Sequence, residues 1–168
     1  MTRFTVAILV NNQFGVLNRI TSMFRRRQFN IHSLTVSETE SAEYSRLTIQ
    51  SEGDEITKQQ LINQLYKLPD VCSVQEFAHD NIISRELMLI KMSNNAETRG
   101  DLRSAIDAFE GNIVDYTQDS LTIQMVGDSR KIDNFVNLMK EYEILEICRT
   151  GVVSLERGAS TIRRVTNL

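Results

Sequence analysis

The stretches LTIQSEGD, at Leu47–Asp54, and LTIQMVGD, at Leu121–Asp128, decide the fold of this 168-residue chain because they are nearly the same. Each alternates apolar with polar residues and ends in Gly-Asp, which is typical of a half-buried strand that runs into a turn. A helix is predicted after each strand, since Leu61 and Phe135 begin matching apolar faces at the same offset. The two stretches therefore indicate an internal duplication.

The similarity extends upstream of these strands. Matching residues recur there in the same order: Gly15, Leu17, Phe24 and Asn30-Ile31 in the first copy, and Gly100, Leu102, Phe109 and Asn112-Ile113 in the second. Each copy also opens and closes on an apolar strand, so the order strand, helix, strand, strand, helix, strand is predicted twice. Such a βαββαβ unit of about 70–80 residues is a ferredoxin-like module, with both helices on one face of a four-stranded sheet. The predicted fold class is α+β, with two such modules in tandem.

Polar residues interrupt the pattern near Ala78–Ser84 without a Gly/Ser- or Pro-rich linker, which places the boundary between two packed modules there. We expect one domain over residues 1–80, a second over 81–158, and a flexible tail over 159–168, where sustained periodicity is missing. The first strand is apolar on both faces from Val6 to Val10, so both faces need cover. A second module or a second copy of the chain is the simplest cover, which predicts a homodimer or a larger assembly.

The composition is that of a soluble globular protein, with 41% hydrophobic and 24% charged residues. A net charge of -3 gives no electrostatic support for binding to nucleic acid or to an anionic membrane. No apolar run reaches the roughly 20 residues that span a bilayer, and a strand-like pattern begins at Arg3, which leaves no room for a signal peptide. Cys72 and Cys148 are predicted to be core residues of the two closing strands in a reduced protein. We therefore expect a cytoplasmic protein.

The most informative loop is Asn11-Asn12-Gln13-Phe14-Gly15, between the first strand and the first helix. A helix that begins at Gly15 presents unpaired backbone N–H groups up to Leu17, which can bind a carboxylate or phosphate without a basic side chain. Gly15 has no Cβ, so a ligand can approach the backbone closely. The amide of Asn12 can offer its oxygen to an ammonium group and its N–H to a carboxylate. The alternative from the loop alone is that Asn12 caps the helix and Gly15 merely permits the turn.

Further residues carry a resemblance to a known family. In the first copy they are Asn12, Gly15, Asn30-Ile31, Ser33-Leu34-Thr35-Val36, Leu47-Thr48-Ile49 and Gly53-Asp54, which together look like an ACT domain. More narrowly, they resemble the regulatory (small) subunit of acetolactate synthase, also called acetohydroxyacid synthase. In the second copy, Ser84-Arg85-Glu86-Leu87 before Ile90-Lys91, and the Thr150–Gly158 stretch, resemble that family's C-terminal domain. The resemblance spans nearly the whole chain.

The resemblance implies a non-catalytic protein that binds no cofactor itself and attaches to a catalytic (large) subunit, which would use thiamine diphosphate, Mg and FAD. It implies that the chain raises the activity of that subunit and confers feedback inhibition by a branched-chain amino acid, usually valine. The effector would lie between two ACT domains of a homodimer. It would be held by Asn12, Gly15, Val16 and Leu17 of one protomer and by Asn30 and Ile31 of the other protomer. Phe14 and His32 depart from the usual pattern of the family and bear on which amino acid binds.

Other function classes find less support. No nucleophile motif, Walker loop or general-base pair indicates an enzyme, and no histidine or cysteine has the spacing of a metal site. An RNA-binding module of this fold would need aromatic residues on its central strands, which Val6–Val10 and Leu47–Gln50 lack. A stand-alone tandem ACT-domain sensor that acts on another target is the alternative among regulators.

The two copies are predicted to be unequal. Aligning Gly15 with Gly100 places Glu97 where Asn12 stands, and an acidic side chain there would repel a ligand carboxylate. The second copy is therefore predicted to serve dimer packing or contact with the partner subunit.

Overall fold

The structure, a computed structural model, describes residues 2–77 and 81–163. The chain divides into two compact units: the first runs from Met1 to Ile83 and resumes from Val152 onward, and the second covers Ser84–Gly151. The predicted boundary near 78–84 falls partly on residues 78–80, which lie outside the described residues. Within the described part of the chain, no helix is both long and apolar enough to cross a membrane.

The predicted order of elements occurs twice. The first set is β1 (Thr2–Asn11), α1 (Val16–Arg26), β2 (Ser33–Glu38), β3 (Tyr44–Gly53), α2 (Glu55–Leu65) and β4 (Val71–Glu76). The second set is β5 (Ile82–Ser93), α3 (Arg99–Ala108), β6 (Asn112–Tyr116), β7 (Ser120–Gly127), α4 (Ser129–Met139) and β8 (Ile144–Arg149), and the short strand β9 (Val153–Glu156) follows. The α+β fold class with tandem ferredoxin-like modules is confirmed.

The two sheets have the same strand order, β2-β3-β1-β4 and β6-β7-β5-β8, and β9 pairs with β5 off this path. All pairs within both paths are antiparallel. β1 and β5 are the central strands, and the registers pair Ile8 with Leu47 and Met92 with Leu121. A bulge follows Leu9 in one central strand and Lys91 in the other. The duplication read from the sequence is therefore a duplication of the whole topology.

The core of the first unit lies between its sheet and its two helices. Val6, Ile8 and Val10 point from β1 into this core, as the period of two along a strand requires. The helices contribute Val16, Ile20, Met23 and Phe24 from α1, and Leu61, Ile62 and Leu65 from α2. These positions repeat every three or four residues, so each helix buries one apolar face.

The other face of β1 is covered by residues of the same chain. Ala7 and Leu9 are buried against Ile162, which is only 6% exposed. Ile162 belongs to the segment 159–168 that the sequence predicts to be a flexible tail, and its side chain is buried. Residues 164–168 lie outside the described part of the chain. Tyr44, Cys72 and Phe77 pack against the same cluster, and hydrophobic periodicity along one segment cannot predict contacts between segments so far apart in the chain.

The segment from Val152 to Glu156 also joins the first unit, whereas the sequence analysis placed residues 152–158 in the second domain. The N–H of Val152 donates to Ser33 Oγ at 3.2 Å, and Arg46 Nη2 donates to the carbonyl of Ser154 at 2.7 Å. No strand is predicted for this segment from the sequence, and the partners that hold it lie about a hundred residues earlier in the chain.

The core of the second unit is built in the same way, from alternate residues of β5 and β7 and one face of each helix. Phe109 and Phe135 pack edge to face with ring centroids 5.3 Å apart. Cys148 pairs with Leu89 in β8 and β5 and is exposed, so the prediction that it belongs to the core is wrong. The bulge after Lys91 shifts the register of β8 and turns this cysteine to the face of the sheet opposite the helices. Cys72, in contrast, is half-buried.

Candidate effector-binding site

Helix α1 begins without a side-chain cap. Gly15 is its N-cap residue, and no side chain accepts a hydrogen bond from the first turn. The alternative that Asn12 caps this helix is therefore wrong. The bond from Arg19 N–H to the carbonyl of Gly15, at 3.0 Å, is the first of the helical ladder, so the N–H groups of Leu17 and Asn18 precede it and point out of the helix end. The first turn contains no acidic residue, and this end of the helix suits an anion.

The backbone of Gly15 is left-handed, with φ +84 and ψ -5. A Cβ on Gly15 would meet only Arg19 Nη1, at an ordinary 3.5 Å, so it is the dihedral angle rather than crowding that selects glycine. The same contact shows that the guanidinium of Arg19 lies beside the helix end. Its Nε and Nη2 atoms both lie 2.7 Å from Asp70 Oδ2, which leaves Nη1 on the side of Gly15. Arg19 is not among the residues predicted from the sequence, although its position four residues after Gly15 is the signal that places it there.

The side chain of Asn12 is fully engaged inside the first unit. Its Nδ2 donates to Glu38 Oε1 and to the carbonyl of Ala42, both at 3.0 Å, while its Oδ1 accepts from Ser45 Oγ at 3.0 Å. The backbone N–H of Asn12 donates to the carbonyl of Glu43 at 2.7 Å. Asn12 thus anchors the β2–β3 turn to the end of β1. Both amide protons are occupied, so only a lone pair of Oδ1 is open to a ligand.

These bonds bring Glu38, which the sequence analysis also missed, to the loop. Its carboxylate lies 26 residues from Asn12 in the chain and next to it in the structure. No local pattern could have signalled this, because the contact depends on where β2 ends relative to β1. The loop therefore has an anion-binding helix end on one side and a carboxylate on the other.

The apolar side chains of the loop differ in exposure. Phe14 is fully exposed and Leu17 is 39% exposed, whereas the side chain of Val16 is buried in the core. Of the predicted contacts, Leu17 can therefore offer both side chain and backbone. Val16 can offer only its N–H, which already donates to the carbonyl of Gln13 over a long 3.4 Å.

Asn30 and Ile31 lie at the opposite end of the sheet. Ser51 Oγ donates to the carbonyl of Asn30 at 2.6 Å, and Ser51 pairs with Phe4, seven residues before Asn11 along β1. At about 3.3 Å per residue this separation is roughly 23 Å. One chain therefore does not bring the two groups of predicted site residues together. The predicted site therefore consists of two half-sites, one at each end of the sheet, which only a second protomer could join.

The environment of this second half-site is polar. Asn30 Nδ2 lies 3.5 Å from His32 Nε2, and His32 Nε2 lies 3.1 Å from Glu52 Oε2. Asn30 is exposed and Ile31 is half-buried, with part of its surface packed on the core of the first unit. His32 thus lies between Asn30 and Glu52.

The corresponding loop of the second unit is built differently from the prediction. Asn94, not Glu97, makes the bonds that match those of Asn12. The backbone N–H of Asn94 donates to the carbonyl of Asp119 at 3.0 Å, and its Nδ2 donates to the carbonyl of Thr117 at 2.6 Å. The placement of Glu97 at the position of Asn12 is therefore wrong. Glycine alignment misled the sequence analysis because the connection from asparagine to helix differs in length between the two copies.

Among residues 2–77 and 81–163, no three histidine, cysteine or acidic side chains form a group that could hold a metal ion. A family model described as an AHAS small subunit-like ACT domain matches residues 6–73, and a second, described as the small subunit of acetolactate synthase, matches residues 85–158. The chain belongs to the acetolactate synthase small-subunit family. Its first unit is an ACT domain, as the residues around Gly15 and Asn30 indicate.

Relatives of this family match over nearly their full length. The chain is 43% identical to the probable acetolactate synthase small subunit of Archaeoglobus fulgidus, over 93% of this chain and 98% of that one. It is 41% identical to the acetolactate synthase small subunit of Bacillus subtilis, over 91% and 90%. The crystal structure of the acetolactate synthase small subunit of Thermotoga maritima superposes with a TM-score of 0.87 at 34% identity, covering 95% of this chain and all of that one. Both units are therefore shared with the family.

Proposed function

We propose that this protein is a regulatory subunit that binds the catalytic subunit of acetolactate synthase, raises its activity and makes it sensitive to inhibition by valine. The relatives named as small subunits support a larger partner, and the family resemblance assigns thiamine diphosphate, Mg and FAD to that partner. The observation that carries the proposal is the uncapped start of α1 at Gly15, with its left-handed backbone and the Arg19 guanidinium beside it.

The loop can hold both charged ends of an amino acid. The carboxylate is bound by the N–H groups of Leu17 and Asn18 together with Arg19 Nη1, since charge-assisted bonds to an anion are the strong ones. The ammonium group lies at Glu38, with a lone pair of Asn12 Oδ1 as its second acceptor. Asn12 therefore acts mainly by holding Glu38 in place, a role different from the bridge between both ends that the sequence predicts.

The second copy completes the site. This copy is a second protomer of the dimer. Its Asn30 and Ile31 cover the ligand from the facing ACT domain, and Leu17 of one protomer with Ile31 of the other forms the wall for the isopropyl group. Burial of the two methyl groups separates valine from alanine by roughly 1.5 kcal/mol at about 0.8 per carbon. Because the ligand then touches both copies, it stabilises one arrangement of the dimer over another, and this difference in affinity is what inhibition requires.

The test is Gly15→Asp in the complex reconstituted with the catalytic subunit. The new carboxylate occupies the anion position, so we expect the valine concentration for half inhibition to rise at least about tenfold while activation survives, since a lost charge-assisted bond is worth about 1.5–3 kcal/mol. Gly15→Ala is the control that separates the effect of backbone strain from the effect of charge. Gly100→Asp is the matched control in the second unit of the same chain, and it should keep full valine sensitivity.

Two results would contradict the proposal. Full valine inhibition of the Gly15→Asp complex would remove the site assignment. Failure of the chain to co-purify with the catalytic subunit, or to alter its activity, would instead favour the alternative of a stand-alone tandem ACT-domain sensor with another target.

A further inference from the structure

The second unit contains a cavity of about 340 Å³ between α3 and β6. Its deep wall is apolar and consists of the buried side chains of Leu102, Ile106 and Leu121 together with Ile113. A volume of this size lies in the range that binds small organic molecules. All of the lining residues belong to the second unit, so the cavity is separate from the half-sites at Gly15 and Asn30.

The mouth of the cavity is positively charged. Arg99 and Arg103 both line it, and neither has a carboxylate partner within residues 2–77 and 81–163. This is notable in an acidic chain of net charge -3, where a cation on the surface is easily neutralised. Glu97 and Asp101 are close in sequence, but neither side chain lines the cavity.

The side chain of Arg99 is held by two contacts, whereas the side chain of Arg103 is free to move. Arg99 Nε donates to Asn94 Oδ1 at 3.0 Å, and its guanidinium carbon lies 5.8 Å from the ring centroid of Tyr116. These contacts use one nitrogen and one face of the guanidinium and leave the terminal nitrogens for an anion. No hydrogen bond or ion pair joins Arg103 to any residue in the described part of the chain, so its guanidinium can close over a bound group.

We propose that this cavity is a binding site for a short aliphatic monocarboxylate that carries no ammonium group. The carboxylate binds between Arg99 and Arg103, and the aliphatic chain fills the space between Leu102, Ile106 and Ile113. An amino acid fits less well because its ammonium group would lie beside two guanidinium groups and repel them. The site therefore selects against the zwitterions that the first unit is proposed to bind.

The inference does not rest on the proposed function, since it concerns side chains of the second unit alone. It gives this unit a ligand of its own in place of the packing role that Glu97 suggested. It also predicts that the two sites fill independently, so that saturating valine leaves binding to the second unit unchanged.

The test measures binding of four matched probes to the full-length chain by calorimetry, with methyl resonances of Ile106 and Ile113 as reporters of position. The probes are 4-methylpentanoate, 4-methyl-2-oxopentanoate, leucine and the neutral 4-methylpentanamide. We expect the two acids to bind and to shift these methyl signals. Leucine and the amide should bind at least about tenfold more weakly, because leucine adds an ammonium group that the guanidinium pair repels and the amide lacks the charge of the carboxylate. A difference between the two acids shows whether a 2-oxo group adds to affinity.

Variants assign the binding to this cavity. Arg103→Gln removes a charge that no described residue uses, and we expect it to weaken binding of the acids about tenfold. Gly100→Leu obstructs the mouth, and a Cβ at Gly100 meets no atom within 4 Å, so the fold should accept it. Arg130→Gln, in α4 and away from the cavity, is the matched control and should bind as the wild type does.

Three results would overturn the proposal. The first is unchanged binding in both Arg103→Gln and Gly100→Leu. The second is competition by valine together with methyl shifts confined to the first unit, which would assign the acids to the ACT domain. The third is that neither acid binds. Intermolecular contacts to Ile113 would then show that a second protomer fills the cavity.

Discussion

The two copies of the module differ most at the connection between the first strand and the first helix. In the first copy the chain turns at a left-handed Gly15, and α1 starts one residue later with an open end. In the second copy Thr98 is the N-cap residue, and Gly100 is already the second residue of α3. The same residue type therefore serves as a helix boundary in one copy and as an interior residue in the other.

The asparagine that follows each central strand shows the opposite relation, because its position differs between the two copies while its role is the same. Asn12 and Asn94 stand at different distances from the aligned glycines, yet both fasten the end of the central strand to the turn of the neighbouring hairpin. The comparison teaches that hydrogen bonding to the sheet, rather than spacing from the helix, identifies equivalent positions. The two loops also differ in what they present: the first has the uncapped start of α1 at Gly15 and the carboxylate of Glu38, whereas the second directs Arg99 towards an apolar cavity.

The largest effect is expected from removing the anchors. Asn94 is buried, and its two bonds leave the carbonyl of Thr117 and Arg99 Nε without partners when it is lost. Asn94→Ala should therefore lower the free energy of unfolding by about 2 kcal/mol, and Asn12→Ala by about 1 kcal/mol or less, because water can reach the partners of the exposed Asn12. Chemical denaturation monitored by circular dichroism measures both values.

Equal losses of free energy would show that the difference in burial between Asn94 and Asn12 does not determine their contributions, which would contradict this part of the comparison. Asn94→Asp is a further variant: it keeps Oδ1 for Arg99, but it replaces the donor to Thr117 with a carboxylate oxygen and adds a negative charge beside that carbonyl.

The next largest effect is expected from replacing the two glycines with alanine, which should change the stability of the protein in opposite directions. Gly15→Ala puts a Cβ on a left-handed residue and should destabilise the protein by about 1 kcal/mol. Gly100→Ala, inside a helix and with no atom within 4 Å of the new Cβ, should stabilise it by up to about 1 kcal/mol. Thermal unfolding of the two variants beside the wild type checks the signs. Two changes of the same sign would mean that the two glycines occupy similar backbone conformations.

The sequence predicted the elements well where a pattern extends over one element. The LTIQ strands, the apolar faces around Leu61 and Phe135, and the open helix start at Gly15 all follow from local periodicity and turn chemistry. It failed where the decisive contact is distant in sequence. Glu38 reaches Asn12, Ile162 covers Leu9 and Ser154 binds Arg46 only after the sheet has formed.

The register of the strands was also beyond local patterns. Cys148 sits in an apolar-looking closing strand, but one bulge decides which face it occupies. A shift of one residue moves every side chain after it to the other face of a sheet. The elements that carry the predicted site residues were thus predictable, whereas the hydrogen-bond partners of those residues were not.

The smallest effect on stability is expected at the N-caps of α2 and α4, the second helix of each module, where the two copies are most alike. Asp54 and Asp128 are the N-cap residues of α2 and α4, and each accepts from a backbone N–H at 2.8 Å. Only Asp54 also accepts a hydroxyl, from Thr57 Oγ1 at 2.6 Å. This bond, with the backbone bond from Thr57, lowers the pKa of Asp54 below its ordinary value of 3.8.

A lowered pKa in the folded state fixes the direction of the pH dependence. The folded protein holds the Asp54 proton less tightly than the unfolded chain does, so the stabilisation is fully present above pH 3.8 and is lost as the pH falls through the folded value. We expect Asp54→Asn to be less stable than the wild type at neutral pH, and this difference should shrink below pH 3.8. Thr57→Ala should move the Asp54 carboxyl titration, followed by carbon-13 NMR, back towards the ordinary value. A difference that grows on acidification would contradict the assignment, because it would require the folded state to bind the proton more tightly than the unfolded chain.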